Sequence, residues 1–532
     1  MISFKHPNPF RPNSRPTSPN PPSRPEPAMV LERTSRPLTK LTFSGFKRSS
    51  SSMSVSSPPP PTLLVQDGSY LQALSLKLSE AVSKAMVQPA GPVPVGELVG
   101  GRRPIPAGRG RALGLLIASE LKACQNNPHL HKAILRSLHR PLSVLLSNLS
   151  ALLLPLLSSP AFLSSPAPTV QAPNPNATQL HALAVATFAG ELLETFDELS
   201  LGSDNDARGD GLKAIREGLD SLIGRVVNPL IGGIKSELMP LLESLENPVT
   251  VTVPKTATKA CFHPSIVSLQ AIMPVYARAL ARYTTSLSSQ TTLATFLISI
   301  VWKALVAVAN RPQVKASPPT SPLGLPQLTP LAKRQHATAG NTSPATPPPA
   351  RFALKLPPSR PSSPPGISVT PSAAADIRAL HDLMVLLPRP PAECDATRVA
   401  REAVDEALSD LTALATLLEN IDNPLFKVGK SQEVILEEIE QITADLPTLI
   451  ALPVLLRSYS GVTTGSPSIP PISSIINISE DEYRKSCLSG FGRAEQCSSI
   501  IGHSVLDFLR VQGGLQSLVA QWLANRVDAV DH

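Results

Sequence analysis

Three histidines, His129, His131 and His139, lie close enough along the chain to suggest a metal or proton-transfer site. His129 and His131 are two residues apart, so on the helix that their apolar neighbours imply they point to different faces. Asp204-Asn-Asp206-Ala-Arg208-Gly209-Asp210 has the opening rhythm of a calcium loop. A cation, Arg208, stands where a ligand is needed, and Ile215 replaces the bidentate glutamate, so an acidic turn is the expectation. Gly108-Arg-Gly110 followed by Gly114 misses the spacing with which dinucleotide loops cradle a pyrophosphate, and no strand signal precedes it. No G-x-S-x-G, H-E-x-x-H or Walker motif occurs. The expectation is no enzyme, no cofactor, no metal and no small-molecule substrate.

The chemistry that does recur is recognition. Pro16, Pro19, Pro22 and Pro25 come every three residues, which places them on one edge of a polyproline II helix. Pro19-Asn-Pro-Pro22-Ser-Arg24 fits the P-x-x-P-x-R pattern read by Src-homology-type grooves. Lys355-Leu-Pro-Pro358-Ser-Arg-Pro361 fits the reverse orientation. In either, the basic residue can pair with acids beside an aromatic groove. Serines and threonines that precede a proline are dense in the same regions: Ser18, Ser57, Ser317, Ser321, Thr329, Ser343, Thr346, Ser363 and Thr370. Arg48 ahead of a serine run suits Ser51 to a basophilic kinase. Each phosphate would add a charge of about −1.5 to −2.

These motifs sit in two segments of unusual composition. Residues 1–62 and 311–372 hold 14 and 16 of the 58 prolines. They carry 9 and 7 Lys/Arg against 2 acids and none, a net +7 each. Such stretches cannot bury enough apolar surface to offset chain ordering, so both are expected to be disordered, one an arm and the other a linker. The chain's net +8 is therefore a property of these segments. Residues 63–310 have 20 basic and 16 acidic side chains, and residues 373–532 have 12 and 22, a net −10. An acidic C-terminal module and two basic segments would attract one another. The basic residues are spaced by prolines and little interleaved with aromatics, so specific nucleic-acid binding is not expected, whereas an anionic membrane surface could engage them by charge.

The elements that must position these segments are helical. Aromatics make up 4% of the chain while Leu, Ala, Val and Ile abound, which suits helices joined through aliphatic faces. Helical signals run at 111–125, 129–157, 178–199, 211–246, 265–286 and 290–309, after a first helix starting near Asp67 or Ser69. Leu212, Ile215, Leu219, Leu222 and Val226 keep one face, as do Leu269, Met273, Tyr276, Leu280 and Tyr283. Pro128, Pro229, Pro264 and Pro424 read as first-turn prolines. Pro141, Pro155, Pro240, Pro274, Pro447 and Pro453 fall inside helical patterns and should kink or split them. In the second module, Val404, Leu408, Leu411, Ala415 and Leu418 form a seam ending at Asp422. With the stripe Ile435, Ile439, Ile442, Leu446 and Leu449 it predicts an antiparallel helical hairpin. Ser479-x-x-Glu482 reads as a capping box, and the end of the chain, with Ile500, Val505, Leu509, Leu515, Leu518 and Trp522, as amphipathic helix.

The fold expected is all-α: an irregular or solenoid-like multi-helix array over 63–310 and a smaller helical bundle over 373–532, joined by the segment 311–372. Leu142–Leu163 is interrupted by serines and prolines and predicts a helix with a wet face, while Leu293–Val308 predicts a buried core helix, so a transmembrane span is not expected. Five cysteines with no C-x-x-C argue against a disulfide framework and for a reducing compartment, cytosol or nucleus. Mitochondrial targeting is not expected either, because the prolines of the arm forbid the amphipathic helix it needs. The function expected is a scaffold or adaptor for protein partners, with phospho-regulated docking segments. A peripheral membrane or vesicle-associated protein and a chromatin- or RNA-associated factor are the alternatives.

Overall fold

The computed structural model describes residues 62–89, 98–163, 167–203, 211–253, 261–312, 367–393, 395–423, 429–459, 470–512 and 517–531. These belong to one compact unit, Pro61–His532, and it is all-α. Its first half contains α1 (Thr62–Met86), α2 (Arg109–Ala123), α3 (Pro128–Leu157), the short α4 (Pro160–Leu163), α5 (Ala177–Glu198), α6 (Leu212–Glu243), α7 (Pro264–Tyr283) and α8 (Leu287–Ala309). The second contains α9 (Ala373–Val385), α10 (Asp395–Asp422), α11 (Gln432–Ile442), α12 (Thr448–Tyr459), α13 (Ile472–Ile475), α14 (Glu480–Cys487), α15 (Phe491–Val511) and α16 (Leu518–Asp531). A two-stranded antiparallel ribbon pairs β1 (Val251–Val253) with β2 (Ile367–Val369), Val251 opposite Val369.

Apolar periodicity accounts for most of these helices. The five-residue faces of α6 and α7 are both buried, and α6 packs between α5 and α8. α8 is the helix around which the rest assembles. It is apolar on nearly every side because α6 covers one face and α10 another, with α12 alongside. By length and composition α3 and α8 could each cross a membrane, but 72% of the apolar window of α8 is buried inside the fold. The window of α3 is 28% buried. There Leu142, Leu145 and Leu149 face inward, joined by Leu153, while Ser147 and Asn148 face out.

Local signals set the helix starts. Asn127 caps α3, its side chain accepting from Leu130 N–H at 3.1 Å, with Pro128 in the first turn. Asn176 and Gln179 form a reciprocal capping box on α5. Ser479 caps α14, accepting from Glu482 N–H at 3.2 Å.

Several expectations change. α1 begins at Thr62, ahead of Asp67. Pro229 does not start a helix; it lies inside α6, and Pro141, Pro155, Pro240, Pro274 and Pro453 likewise interrupt helices without splitting them. Pro155, Pro229, Pro240 and Pro274 are solvent-exposed, so water can serve the backbone groups that each ring leaves unpaired. Pro447 precedes α12, where its carbonyl accepts from Ile450 and Ala451 N–H. Pro424 lies outside the described residues. The hairpin also fails: α10 packs chiefly on α8 and α9, α11 on α16, and the stripe from Ile435 to Leu449 is divided between α11 and α12. In α15 the core residue is Ile501, and Ile500 is 73% exposed.

Candidate functional site

The motif residues Pro16, Pro19, Pro22, Arg24, Pro25, Lys355, Pro358 and Pro361 lie outside the described residues, as do Ser18, Ser51, Ser57, Ser317, Ser321, Thr329, Ser343, Thr346 and Ser363. Thr370 is described: it follows β2 and is half-buried, next to the buried Pro371. What the structure does place are the two ends of the segment 311–372, and it places them together.

Arg311 follows α8 and is buried. Its guanidinium donates from Nη1 to Asp376 Oδ2 at 2.6 Å and from Nη2 to the carbonyl of Pro371 at 3.4 Å. Asp376, 0% exposed in the first turn of α9, uses its other oxygen to accept His263 N–H at 2.8 Å, at the start of α7. The carboxylate thus sits where the α9 helix dipole favours negative charge, and both of its oxygens are engaged. The described residues on either side of 313–366 thus meet at one arginine side chain.

A second arginine completes the clamp. Arg457, from the end of α12, donates to the carbonyls of Arg311 (2.8 Å) and Ala309. The orphan carbonyls at the C-terminus of α8 therefore meet a cation. Burial pulls Arg457 down to about 10, which leaves it charged at neutral pH. His263 is held below the usual imidazole range by burial and by Arg311 beside it, and so is neutral. Its Nδ1 accepts from Ser265 N–H at 3.2 Å, so its Nε2 carries the proton it donates to the Asn247 carbonyl at 3.1 Å. Nearby, Arg484 of α14 grips Glu246 through two hydrogen bonds of 2.7 and 2.6 Å.

One tryptophan closes the same seam between halves and the other pins two helices of the second half. Trp302 Nε1 of α8 donates to the Leu488 carbonyl at 2.7 Å, and its ring lies 4.6 Å from that of Phe491. Trp522 Nε1 donates to Thr443 Oγ1 at 2.9 Å. The region that the sequence treats as a spacer between two modules therefore begins and ends on a shared interface.

The other candidate groups take structural places. His129 and His139 are exposed on α3 and His131 is half-buried. The glycine run belongs to a helix crossing: Gly110 and Gly114 of α2 lie against Phe188, Glu191 and Thr195 of α5. Glu191 accepts from the N–H groups of Gly108 (2.6 Å), Gly110 (3.0 Å) and Arg111 (3.3 Å), so a carboxylate caps α2 in trans. The acidic turn 204–210 lies outside the described residues. Cys487 and Cys497 meet where α14 approaches α15, and burial with the Cys487 contact pushes the Cys497 thiol up.

Sequence reasoning missed Arg311, Asp376, His263 and Arg457. The only trace of them is local: an arginine directly after a strongly apolar helix, and an acid in the first turn of the next one. The chain matches no protein-family model, no curated protein and no solved structure.

Proposed function

We propose that this chain is a non-catalytic scaffold or adaptor, in which one helical body holds both ends of a basic, proline-rich segment and offers that segment to protein partners. The observation that carries this reading is the reach of the Arg311 guanidinium to both Pro371 and Asp376. A clamp of this kind holds the residues that flank 313–366 at one fixed point. Between the two ends the segment has six Lys/Arg, no Asp or Glu, and the pattern Lys355-x-x-Pro358-x-x-Pro361. Tethering both ends lowers the chain entropy that a partner must offset when it orders the motif.

Phosphorylation regulates the segment in this reading. Ser317, Ser321, Thr329, Ser343, Thr346 and Ser363 each precede a proline. About three or four phosphates, at roughly −1.5 to −2 each, would cancel the positive charge of the loop.

The test measures binding of a panel of purified Src-homology-type domains to the full chain by fluorescence anisotropy. At least one domain should bind, and the triple substitution of Lys355, Pro358 and Pro361 by alanine should abolish that binding. Equal binding by both chains would overturn the docking reading. Glutamate at the six Ser/Thr positions should weaken the same interaction, and unchanged affinity would remove phospho-regulation from the account.

A further inference from the structure

Between α8 and the C-terminal helices, α10, the α11–α12 turn, α15 and α16 line an open cavity of about 470 Å³. That volume is in the range of small-molecule sites, about 300–1,000 Å³. Asp410 of α10 lines it. This residue is 3% exposed, and its Oδ1 is fully buried without a hydrogen-bond partner. A carboxylate in such a place either keeps its proton or awaits a cation.

The surroundings say which kind of cation. Glu406, Asp445 and Glu495 stand around the same cavity and are solvent-exposed, so they form an acidic approach to the buried Asp410. The one cation that lines it, Arg526, is already engaged: it donates to the carbonyls of Ala444 (3.0 Å) and Leu446 (3.3 Å), and lies 5.9 Å from the centre of the Trp522 ring. Among the described residues no three acidic, histidine or cysteine side chains come close enough to share a metal ion. The walls are mixed: the acids, Thr448, Ser498 and Arg526 share them with apolar side chains that include Ile298 of α8 and Phe491 of α15. A bare ion would find one deep carboxylate, with no second and third ligand close enough to complete a metal site among the described residues.

We propose that this cavity is a binding site for a small organic amine, its ammonium paired with Asp410 and its aliphatic or aromatic body against Ile298 and Phe491. The exposed acids steer the cation inward, and Asp410 supplies the charge-assisted hydrogen bond that selects an amine over a neutral ligand of the same shape. Burial, with Glu406 and Asp445 nearby, pushes the Asp410 carboxyl up to about 7. Pairing with an ammonium favours its ionised form, so binding just below neutral pH releases a proton to the buffer.

The experiment is calorimetric titration of the full chain with 2-phenylethylammonium, and with 2-phenylethanol as the uncharged match. The amine should bind and the alcohol should not, and the heat of amine binding should depend on the ionisation enthalpy of the buffer. Asp410→Asn, nearly isosteric, should weaken the amine about tenfold or more while the tryptophan emission stays that of the folded protein. Equal binding of amine and alcohol, no binding of either, or full affinity in the Asn variant would overturn the assignment. Amine binding seen only after removal of residues 313–366 would place the chain's own basic segment in the cavity, and would overturn it too.

Discussion

Arg311 and Asp376 are 65 residues apart in the chain and 2.6 Å apart in the fold, with their side chains 5% and 0% exposed. Between them run the proline-rich stretch and the ribbon strand β2. Their contact fixes the end of α8 to the beginning of α9, beside the packing of α8 on α10 and α12. The Val251–Val369 register of the ribbon and the grip of Arg457 on the Arg311 carbonyl hold the same point from two further sides.

Removing one member of this pair leaves the other buried and uncompensated. Asp376→Ala should therefore destabilise the fold by about 3–5 kcal/mol, far more than an exposed ion pair such as Arg378–Glu419, worth about 0–1 kcal/mol. Replacing both partners together, as Arg311→Met with Asp376→Leu, should recover most of the loss. Chemical denaturation of the three variants decides the matter; a loss under about 1 kcal/mol for Asp376→Ala would mean that the clamp contributes little.

The α2–α5 crossing is equally specific. A Cβ at Gly114 would overlap Thr195 Oγ1 and stand 2.9 Å from Thr195 Cβ. Gly114→Ala should lower the thermal midpoint by several degrees although alanine favours helix, and Thr195→Ala in the same chain should restore part of it. A more stable Gly114→Ala variant would show that the helices separate freely.

How much of this was legible depends on whether the determinant is local. The faces of α6 and α7 follow from period alone, because Leu212 to Val226 and Leu269 to Tyr283 repeat as one side of a helix and are buried as such. Caps at Asn127 and Ser479 were legible for the same reason. In α15 a register one residue off selects Ile500, whereas Ala494, Ser498, Ile501 and Val505 share the buried side. Pro229 after Asn228 looks like a helix start, and only its exposure on a helix held from both sides by buried Val226, Val227, Leu230 and Ile231 lets α6 continue. The clamp itself leaves no periodic signal. Arg311 looks like the first cation of a basic segment, and Asp376 like an ordinary first-turn acid. The orphan oxygen of Asp410 is hidden in the same way, on a helix whose seam of Val404, Leu408 and Leu411 draws the eye to its neighbours.

Asp410 also predicts a pH dependence. Its carboxyl is raised to about 7 from an ordinary value of 3.8, so the folded state holds a proton that the unfolded state has lost between those values. Stability from this group is whole below about pH 4, falls as pH rises, and is fully lost above about pH 7. Asp410→Asn should therefore match the parent chain near pH 4 and exceed it near pH 8, by roughly 1–3 °C in the thermal midpoint. Identical midpoints at both pH values would show that Asp410 is ionised and solvated in the fold.

The only two tryptophans, Trp302 and Trp522, are both buried and hydrogen-bonded, Trp302 between the halves and Trp522 within the second. Trp302→Phe removes the donor to Leu488 and should cost about 1–3 kcal/mol, since the carbonyl left behind is buried. The remaining emission, from Trp522, should stay blue-shifted. Red-shifted emission in this variant would mean that α8 and the α14–α15 turn come apart together with the α11–α16 contact.

The most direct test of the central claim cuts the tether. With a specific protease site placed inside residues 313–366 and the purified full chain cleaved there, the two fragments should leave a size-exclusion column together, at the elution volume of the uncut protein. The Arg311–Asp376 and Arg484–Glu246 pairs, the ribbon and the Trp302 contact should hold them without the covalent link. Two separate peaks, each a folded fragment, would contradict the account, because the segment would then be a spacer between independent modules.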